Sequence, residues 1–232
     1  MIAVAIDGPA GAGKSTIARL AAKELGFVYV DTGALYRAVG LFILHAGVSP
    51  SDRDAVCGVL SQIAVSIRYQ SGEQRVILCG DDVTDEIRSP GVSMAASAVS
   101  AFPDVREFLL SLQRELAQQS DVVMDGRDIG TVVLPGAQVK IFLTASPEDR
   151  ARRRYEETLS AGKPAVYEEV LKDLKQRDYN DTHRSVAPLV PATDAVLVDT
   201  TGNTLEKSVE QLTSIIKKQL KRQITGREVV KL

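Results

Sequence analysis

Near the start of the chain, Gly8-Pro9-Ala10-Gly11-Ala12-Gly13-Lys14-Ser15 satisfies the pattern G-x-x-x-x-G-K-[ST]. Glycines let the backbone curl until successive N–H groups point at phosphate oxygens, and Lys14 adds a positive charge near the β- and γ-phosphates. The Ser15 hydroxyl is the expected magnesium ligand. The context required of this pattern is present: an apolar run, Ile2 to Ile6, precedes it, and Ile17, Leu20, Ala21 and Leu25 follow at helical spacing. Strand, glycine-rich turn and helix N-terminus predict a nucleoside triphosphate site over Gly8 to Thr16. The Asn-Lys-x-Asp element expected of a guanine-specific GTPase is absent from the chain, which disfavours a molecular switch.

A second group of residues could hold another anion. Arg37 lies after a strand end and helix cap, Arg127 just beyond an apolar strand from Val122 to Met124, and Arg184 on a later helix. Ligands of open α/β sheets bind beyond the carboxyl ends of the strands. Guanidinium groups match phosphate oxygens with paired N–H donors, so several arginines converging there fit a monophosphate. Arg177, Asp181 and Arg184 recur at offsets of four and three, which predicts one helix face; a plain ion-pair face is the competing reading. His183 is assigned to the surface. Asp125 follows the Val122 to Met124 strand in a Walker-B-like position and is expected to order magnesium through water, or else to serve as a turn residue.

The elements that must position these groups alternate along the chain. Gly26 is placed to end the first helix, Phe27 to Val30 reads as a second buried strand, and Asp31-Thr32-Gly33 can cap a helix running towards Ala46. Val65, Ile67 and Tyr69 then alternate up to a Ser71-Gly72 turn signal, with Val76 to Leu78 beyond, which predicts a small antiparallel hairpin. A helix around Val105 to Leu116 leads to central strands at Val122 to Met124 and Val139 to Leu143. Ser146-Pro147 starts a helix with cap and first-turn proline. A last strand, Ala195 to Val198, is followed by Asn203 and Glu206 as a capping box for the final helix, whose basic end, Lys217 to Arg222 with Thr225-Gly226-Arg227, reads as a solvated helix end and frayed tail. The fold class is α/β, a P-loop parallel sheet with helices on both faces and a hairpin insert.

Asp31 to Arg37, Ala96-Ser97 with Phe102-Pro103-x-Val105-Arg106, Asp125-Gly126-Arg127-Asp128-Ile129-Gly130-Thr131, Arg177-Asp178-x-x-Asp181-x-x-Arg184 and Ala187-Pro188-Leu189 closely resemble bacterial-type cytidylate kinases. The resemblance runs in order from the P-loop to about Asp199 with no large insertion. It implies a nucleoside monophosphate kinase core at about 1–31, 120–148 and 189–220, a monophosphate-binding subdomain at about 32–119 that includes the hairpin, and a mobile lid at about 149–166. It further implies an acceptor site of Thr32, Arg37, Ser97, Arg106, Arg127, Asp128, Arg177, Asp181 and Arg184, with Arg177 and Asp181 on the ribose and Arg184 on the acceptor phosphate. Of the lid cluster Arg150, Arg152, Arg153 and Arg154, the i,i+4 pair Arg150 and Arg154 is expected to join Lys14, Arg127 and Arg184 in catalysis. A cytosine edge offers an N4 donor beside N3 and O2 acceptors, so Asp128 can accept from N4, Arg106 can donate to N3 or O2, and the Ser97 hydroxyl can do either.

The reaction expected is transfer of the γ-phosphoryl group of ATP, with Mg2+, to CMP and dCMP. A UMP/CMP or other monophosphate kinase, a kinase of a small metabolite such as shikimate, and a non-catalytic ATP-binding module are the alternatives. At 232 residues, with 44% hydrophobic and 25% charged content, the chain has the composition of one globular unit. Its formal net charge of -2 argues against binding polymeric nucleic acid. Cys57, Cys79, His45 and His183 offer no zinc spacing or disulfide framework, and neither haem nor flavin is expected. The apolar start lacks a basic leader and a membrane-spanning length, so the expectation is a cytoplasmic monomer.

Overall fold

The computed structural model describes the backbone of residues 1–229 and side chains as far as Arg222. In chain order the elements are β1 (Ala3–Asp7), α1 (Lys14–Leu25), β2 (Val28–Asp31), α2 (Thr32–His45), α3 (Arg53–Val59), β3 (Val65–Gln70), β4 (Glu73–Leu78), β5 (Asp81–Asp82), α4 (Pro90–Val99), α5 (Pro103–Gln119), β6 (Val122–Gly126), β7 (Val139–Thr144), α6 (Pro147–Ser160), α7 (Tyr167–His183), β8 (Val196–Asp199) and α8 (Leu205–Val229). They fall into two compact units: Met1–Tyr29 with the chain from Ser120 onward, and Val30–Gln119. Among the described residues no helix is long and apolar enough to cross a membrane.

The first unit is built on a five-stranded sheet in the order β2-β6-β1-β7-β8. Pairing is parallel between β1 and β6, β1 and β7, and β7 and β8. Strands covered on both faces must be apolar along their length, and β6 is buried throughout while β1 is buried from Val4 to Asp7. Ile6, Ile17, Val123, Ile141, Leu143, Leu212 and Ile216 join one core that ties α1 and α8 to the sheet. The register sets Asp7 beside Gly126 and Phe142, so the first chemically active residues of β1 and β6 emerge at the same edge. Gly26 closes α1 in the left-handed conformation, as its position after Leu25 predicts. The cap of α8 lies one residue later than expected: Thr204, rather than Asn203, precedes the helix, and its Oγ1 accepts the Lys207 N–H at 3.3 Å. The frayed tail expected at Thr225-Gly226-Arg227 is instead part of α8 in its backbone course.

In the second unit, the hairpin β3–β4 turns on Ser71 and Gly72, both at positive φ (53° and 80°), the geometry of a two-residue hairpin loop. A short third strand, β5, joins β4, so the expected hairpin is a three-stranded antiparallel sheet. Two helices, α3 and α4, carry no sequence expectation of their own. Leu35, Val39, Ile43, Val76, Val99 and Leu109 pack with others into the core of this unit.

Close approach of α2 and α4 depends on Gly40, because a Cβ there would lie 2.8 Å from the Ala96 nitrogen and 3.2 Å from the Val92 oxygen. Alanine would gain roughly 0.5–1 kcal/mol of helix propensity, but it would have to push two backbones apart, at a cost of about 1–3 kcal/mol. Gly40→Ala is therefore expected to destabilise the protein by about 1–2 kcal/mol on these scales. A urea titration checks this, and an unchanged midpoint would contradict it.

Candidate active site

The P-loop takes its shape from where β1 ends. Gly8 has φ +153°, and a Cβ at this position would come within 1.9 Å of the Leu143 carbonyl oxygen, so only glycine lets the chain cross the end of β7 there. Beyond it, Gly13 stands at the N-cap of α1 with no side-chain cap, leaving the first-turn N–H groups of that helix for a ligand. Lys14 is buried and folds back so that Nζ donates to the Pro9 carbonyl at 2.7 Å. Its ammonium is pushed down to about 7, by burial first and by the Arg127 charge second, against the opposing pull of Asp125, Asp181 and Asp7. Such a depressed lysine marks a place where the fold alone does not supply enough negative charge.

Ser15 Oγ donates to Asp125 Oδ2 at 3.0 Å, and the Tyr29 hydroxyl donates to Asp125 Oδ1 at 2.8 Å. A hydroxyl and a carboxylate side by side form a hard-oxygen donor set of the kind magnesium takes. The residues at this position therefore fit the cation expected with ATP.

Beyond β6, the two arginine–carboxylate partnerships are crossed. Arg127 Nε donates to Asp181 Oδ2 at 2.8 Å, while Asp128 Oδ1 accepts from Arg184 Nη2 at 3.4 Å. The Asp128 side chain makes no cap on the turn that follows it. Burial works against charge on both Arg127 and Asp181; Asp181 above all, then Asp125 and Asp178, still raises the Arg127 guanidinium, and Arg127, Arg184 and Arg177 still lower the Asp181 carboxyl. Arg177 and Asp181 lie on α7, but Arg184 does not: it is the residue after the helix, with extended backbone (φ −64°, ψ 143°), a correction to the expected single helix face. Its side chain is turned by Nε donating to the Ala187 carbonyl at 2.6 Å, where Ala187 itself adopts φ +48°. His183 is exposed, stacked on Tyr179 at 4.0 Å.

The arginines of α6 go separate ways. Arg150 is 3% exposed and spends its donors on the Ala145 carbonyl, the P-loop carbonyl of Ala10 and both carboxylate oxygens of Asp178. Arg154, one turn further along the same helix, is about half exposed and meets Glu157 at 3.5 Å, so the pair differs in burial and in partners. Arg153 pairs with Asp149, donates to the Thr200 carbonyl at 2.7 Å, and lies 3.7 Å from where a Cβ would stand on Gly13.

In the second unit, Asp31 caps α2 by accepting the Ala34 N–H, and its other oxygen takes Arg37 Nη2 at 2.7 Å. Arg37 Nε is buried with no hydrogen-bond partner among the described residues. Thr32 is buried in the first turn of α2. Arg106 lies over the Tyr36 ring at 5.6 Å and donates to the Ser100 carbonyl at 3.3 Å, while Ser100 Oγ donates back to the Ser97 carbonyl. The C-terminal end of α4 thereby links Ser97 to Arg106.

Sequence reasoning missed Asp7 and Tyr29, and within the lid cluster it preferred Arg150 and Arg154 to Arg153. Asp7 is buried at the end of β1 and accepts the N–H groups of Ile129 and Gly130 at 2.7 and 2.8 Å. Burial raises its carboxyl to about 6; the two backbone bonds lower it, Asp128 raises it and Lys14 lowers it. A lone acidic residue ending an apolar strand just before a P-loop was the available signal.

A parallel sheet ending in a phosphate loop, with an adjacent hydroxyl–carboxylate pair and flanking arginines, defines a P-loop kinase. The cytidylate kinase family model matches residues 4–218, and the chain belongs to that family. It is 48% identical over 223 residues to a cytidylate kinase of Caldicellulosiruptor bescii, covering 96% of this chain and 99% of that one. With a cytidylate kinase of Caldanaerobacter subterraneus subsp. tengcongensis it shares 51% identity over 223 residues, 96% and 98% of the two chains. A solved gluconokinase from Sinorhizobium meliloti 1021 has the same fold, with TM-score 0.51 at 16% identity over 97% of each chain.

Proposed function

We infer that the protein transfers the γ-phosphoryl group of ATP to CMP, and with it dCMP, giving ADP and the diphosphate. The observation that carries this reading is the crossed pairing Arg127–Asp181 and Arg184–Asp128, in the same unit as the P-loop, with Arg127 two residues beyond the magnesium-compatible Asp125. A phosphate monoester with a second pKa of about 6 is largely dianionic at neutral pH, so attack on the γ-phosphorus needs no general base. What the chain must supply is position and charge.

Lys14 leaves the Pro9 carbonyl for the β- and γ-phosphate oxygens, where their charge restores its own. Ser15 would hold magnesium directly and Asp125 through water, and the cation would supply charge neutralisation to the bound triphosphate. Gly8 to Thr16 enclose the triphosphate. In the first unit Arg184 is assigned to the acceptor phosphate, Arg177 and Asp181 to the ribose and Asp128 to the base; in the second unit Arg37 is assigned to phosphate and Thr32, Ser97 and Arg106 to the nucleoside, and the buried Nε of Arg37, with no hydrogen-bond partner among the described residues, supports an anion beside it. Arg127 faces the transferred group. For Arg150 and Arg154 to act on that group, closure of α6 must exchange the Asp178 and Glu157 contacts for phosphate oxygens, and it would exclude water that otherwise hydrolyses ATP. Arg153, already beside Gly13, needs the smallest movement. A place in the cytoplasm fits two cysteines that are both free thiols.

Arg37→Ala and Arg184→Ala are expected to weaken CMP binding at least about tenfold, the scale of a charge-assisted hydrogen bond lost, and to leave ATP affinity nearly unchanged. Separate titrations with each nucleotide test this. Equal weakening of CMP and ATP would move both residues out of the acceptor site.

A further inference from the structure

The carboxylate of Asp7 takes no part in the chemistry set out above, yet it holds the turn next to the residue assigned to read the base. That turn, Ile129–Val133, is π-helical, and its first N–H groups have no intrahelical partner by construction. Asp7 fills this need from β1: Oδ1 accepts the Ile129 N–H at 2.7 Å and Oδ2 the Gly130 N–H at 2.8 Å. On the other side, the Asp128 carbonyl accepts the N–H groups of Val132 and Val133 at 2.9 and 3.1 Å. The peptide that leaves Asp128 is therefore gripped at both its oxygen and its N–H, which fixes the backbone from which the Asp128 side chain departs (φ −147°, ψ 28°).

A carboxylate only 3% exposed is an expensive way to cap a turn, because burial opposes its charge and Asp128 adds repulsion. What a carboxylate offers is two acceptors at a fixed spacing, and both are used here. An asparagine in its place has one acceptor and would set its amide against the second N–H. We propose that Asp7 is a positioning residue for cytosine discrimination, its grip on the Ile129 and Gly130 amides fixing the direction of the Asp128 carboxylate. This rests on the assignment of Asp128 to the cytosine N4 amine.

The test is the ratio of kcat/KM for CMP to that for UMP, measured for the whole protein and its variants. Asp7→Asn should lower the CMP constant at least about tenfold, as for loss of a buried hydrogen-bond acceptor, and change the UMP constant by less than about threefold. Gly130→Ala probes the same contact with no change of charge: its Cβ would stand 3.3 Å from Asp7 Oδ2 and 3.2 Å from Lys140 Cδ, and the ratio should narrow in the same sense. A cap that only stabilises the fold would lower the melting temperature and depress both constants in proportion. That outcome in folded Asp7→Asn overturns the proposal, and if Asp7→Asn does not fold, the same outcome in Gly130→Ala overturns it. Asp128→Ala, measured alongside, separates the two levels. A narrowed ratio there with unchanged ratios in Asp7→Asn and Gly130→Ala removes only the role of Asp7, whereas an unchanged ratio in Asp128→Ala removes the base reading and this proposal with it.

Discussion

Lys14→Ala is expected to leave the chain folded and to cut turnover at least about a hundredfold, the scale for losing one preorganised stabiliser of transition-state charge. Stability should not suffer, because the wild-type ammonium is buried, pressed by Arg127 and held by a bond to the Pro9 carbonyl. Removing it relieves an ill-supported charge in the free protein and takes away its partner in the complex. Circular dichroism with a coupled assay at saturating ATP and CMP measures both. Near-normal turnover by a folded variant would contradict the assignment of Gly8 to Ser15 as the phosphate loop.

Asp128→Ala should have the second large effect, on the choice of base. Uracil presents O4 where cytosine presents the N4 amine, so the Asp128 carboxylate would meet an acceptor instead of a donor. Sites that hydrogen-bond a substrate group reject analogues lacking it by several orders of magnitude, since their own buried groups are left unpaired. The Asp128 side chain is almost fully buried, and its partner Arg184 is assigned to the acceptor phosphate. Loss of Asp128 will loosen Arg184 for CMP and UMP alike, whereas loss of the base contact will penalise CMP alone. Comparing kcat/KM for the two nucleotides separates these effects, and the CMP:UMP ratio is expected to fall by at least about tenfold. An unchanged ratio in a folded, ATP-binding variant would end the base-reading role.

Much of the fold is legible in the sequence where local chemistry decides it. The apolar spacing after Lys14, Gly26 beyond Leu25, the Asp31 cap, Pro147 at the first turn of α6 and the Ser71-Gly72 turn each act over a few residues, and each has its counterpart in the structure. What escaped depends on partners distant in sequence. α4, Pro90–Val99, is made largely of small residues whose value lies in fitting against Gly40, some fifty positions earlier. The π-helical turn at Ile129 is held by Asp7, 122 positions away, and nothing within Asp128 to Val133 announces it. Regular spacing put Arg184 on the helix of Arg177 and Asp181, but spacing does not say where a helix ends, and the contact from Arg184 to Ala187 needs the chain to turn first. Asn203 and Thr204 are adjacent and both able to cap, so residue type alone could not choose between them. The arginines were legible as a class; their carboxylate partners were not, because Arg127 with Asp181 and Arg150 with Asp178 are tertiary pairs.

Release of ADP from ATP and Mg2+, followed with CMP, dCMP, UMP, AMP and shikimate as separate acceptors, tests the assigned reaction most directly. CMP should give the highest kcat/KM, with dCMP accepted, UMP and AMP far behind and shikimate inert. Faster turnover of shikimate or AMP than of CMP, or ATP binding with no acceptor-dependent ADP from any of the five, would contradict it.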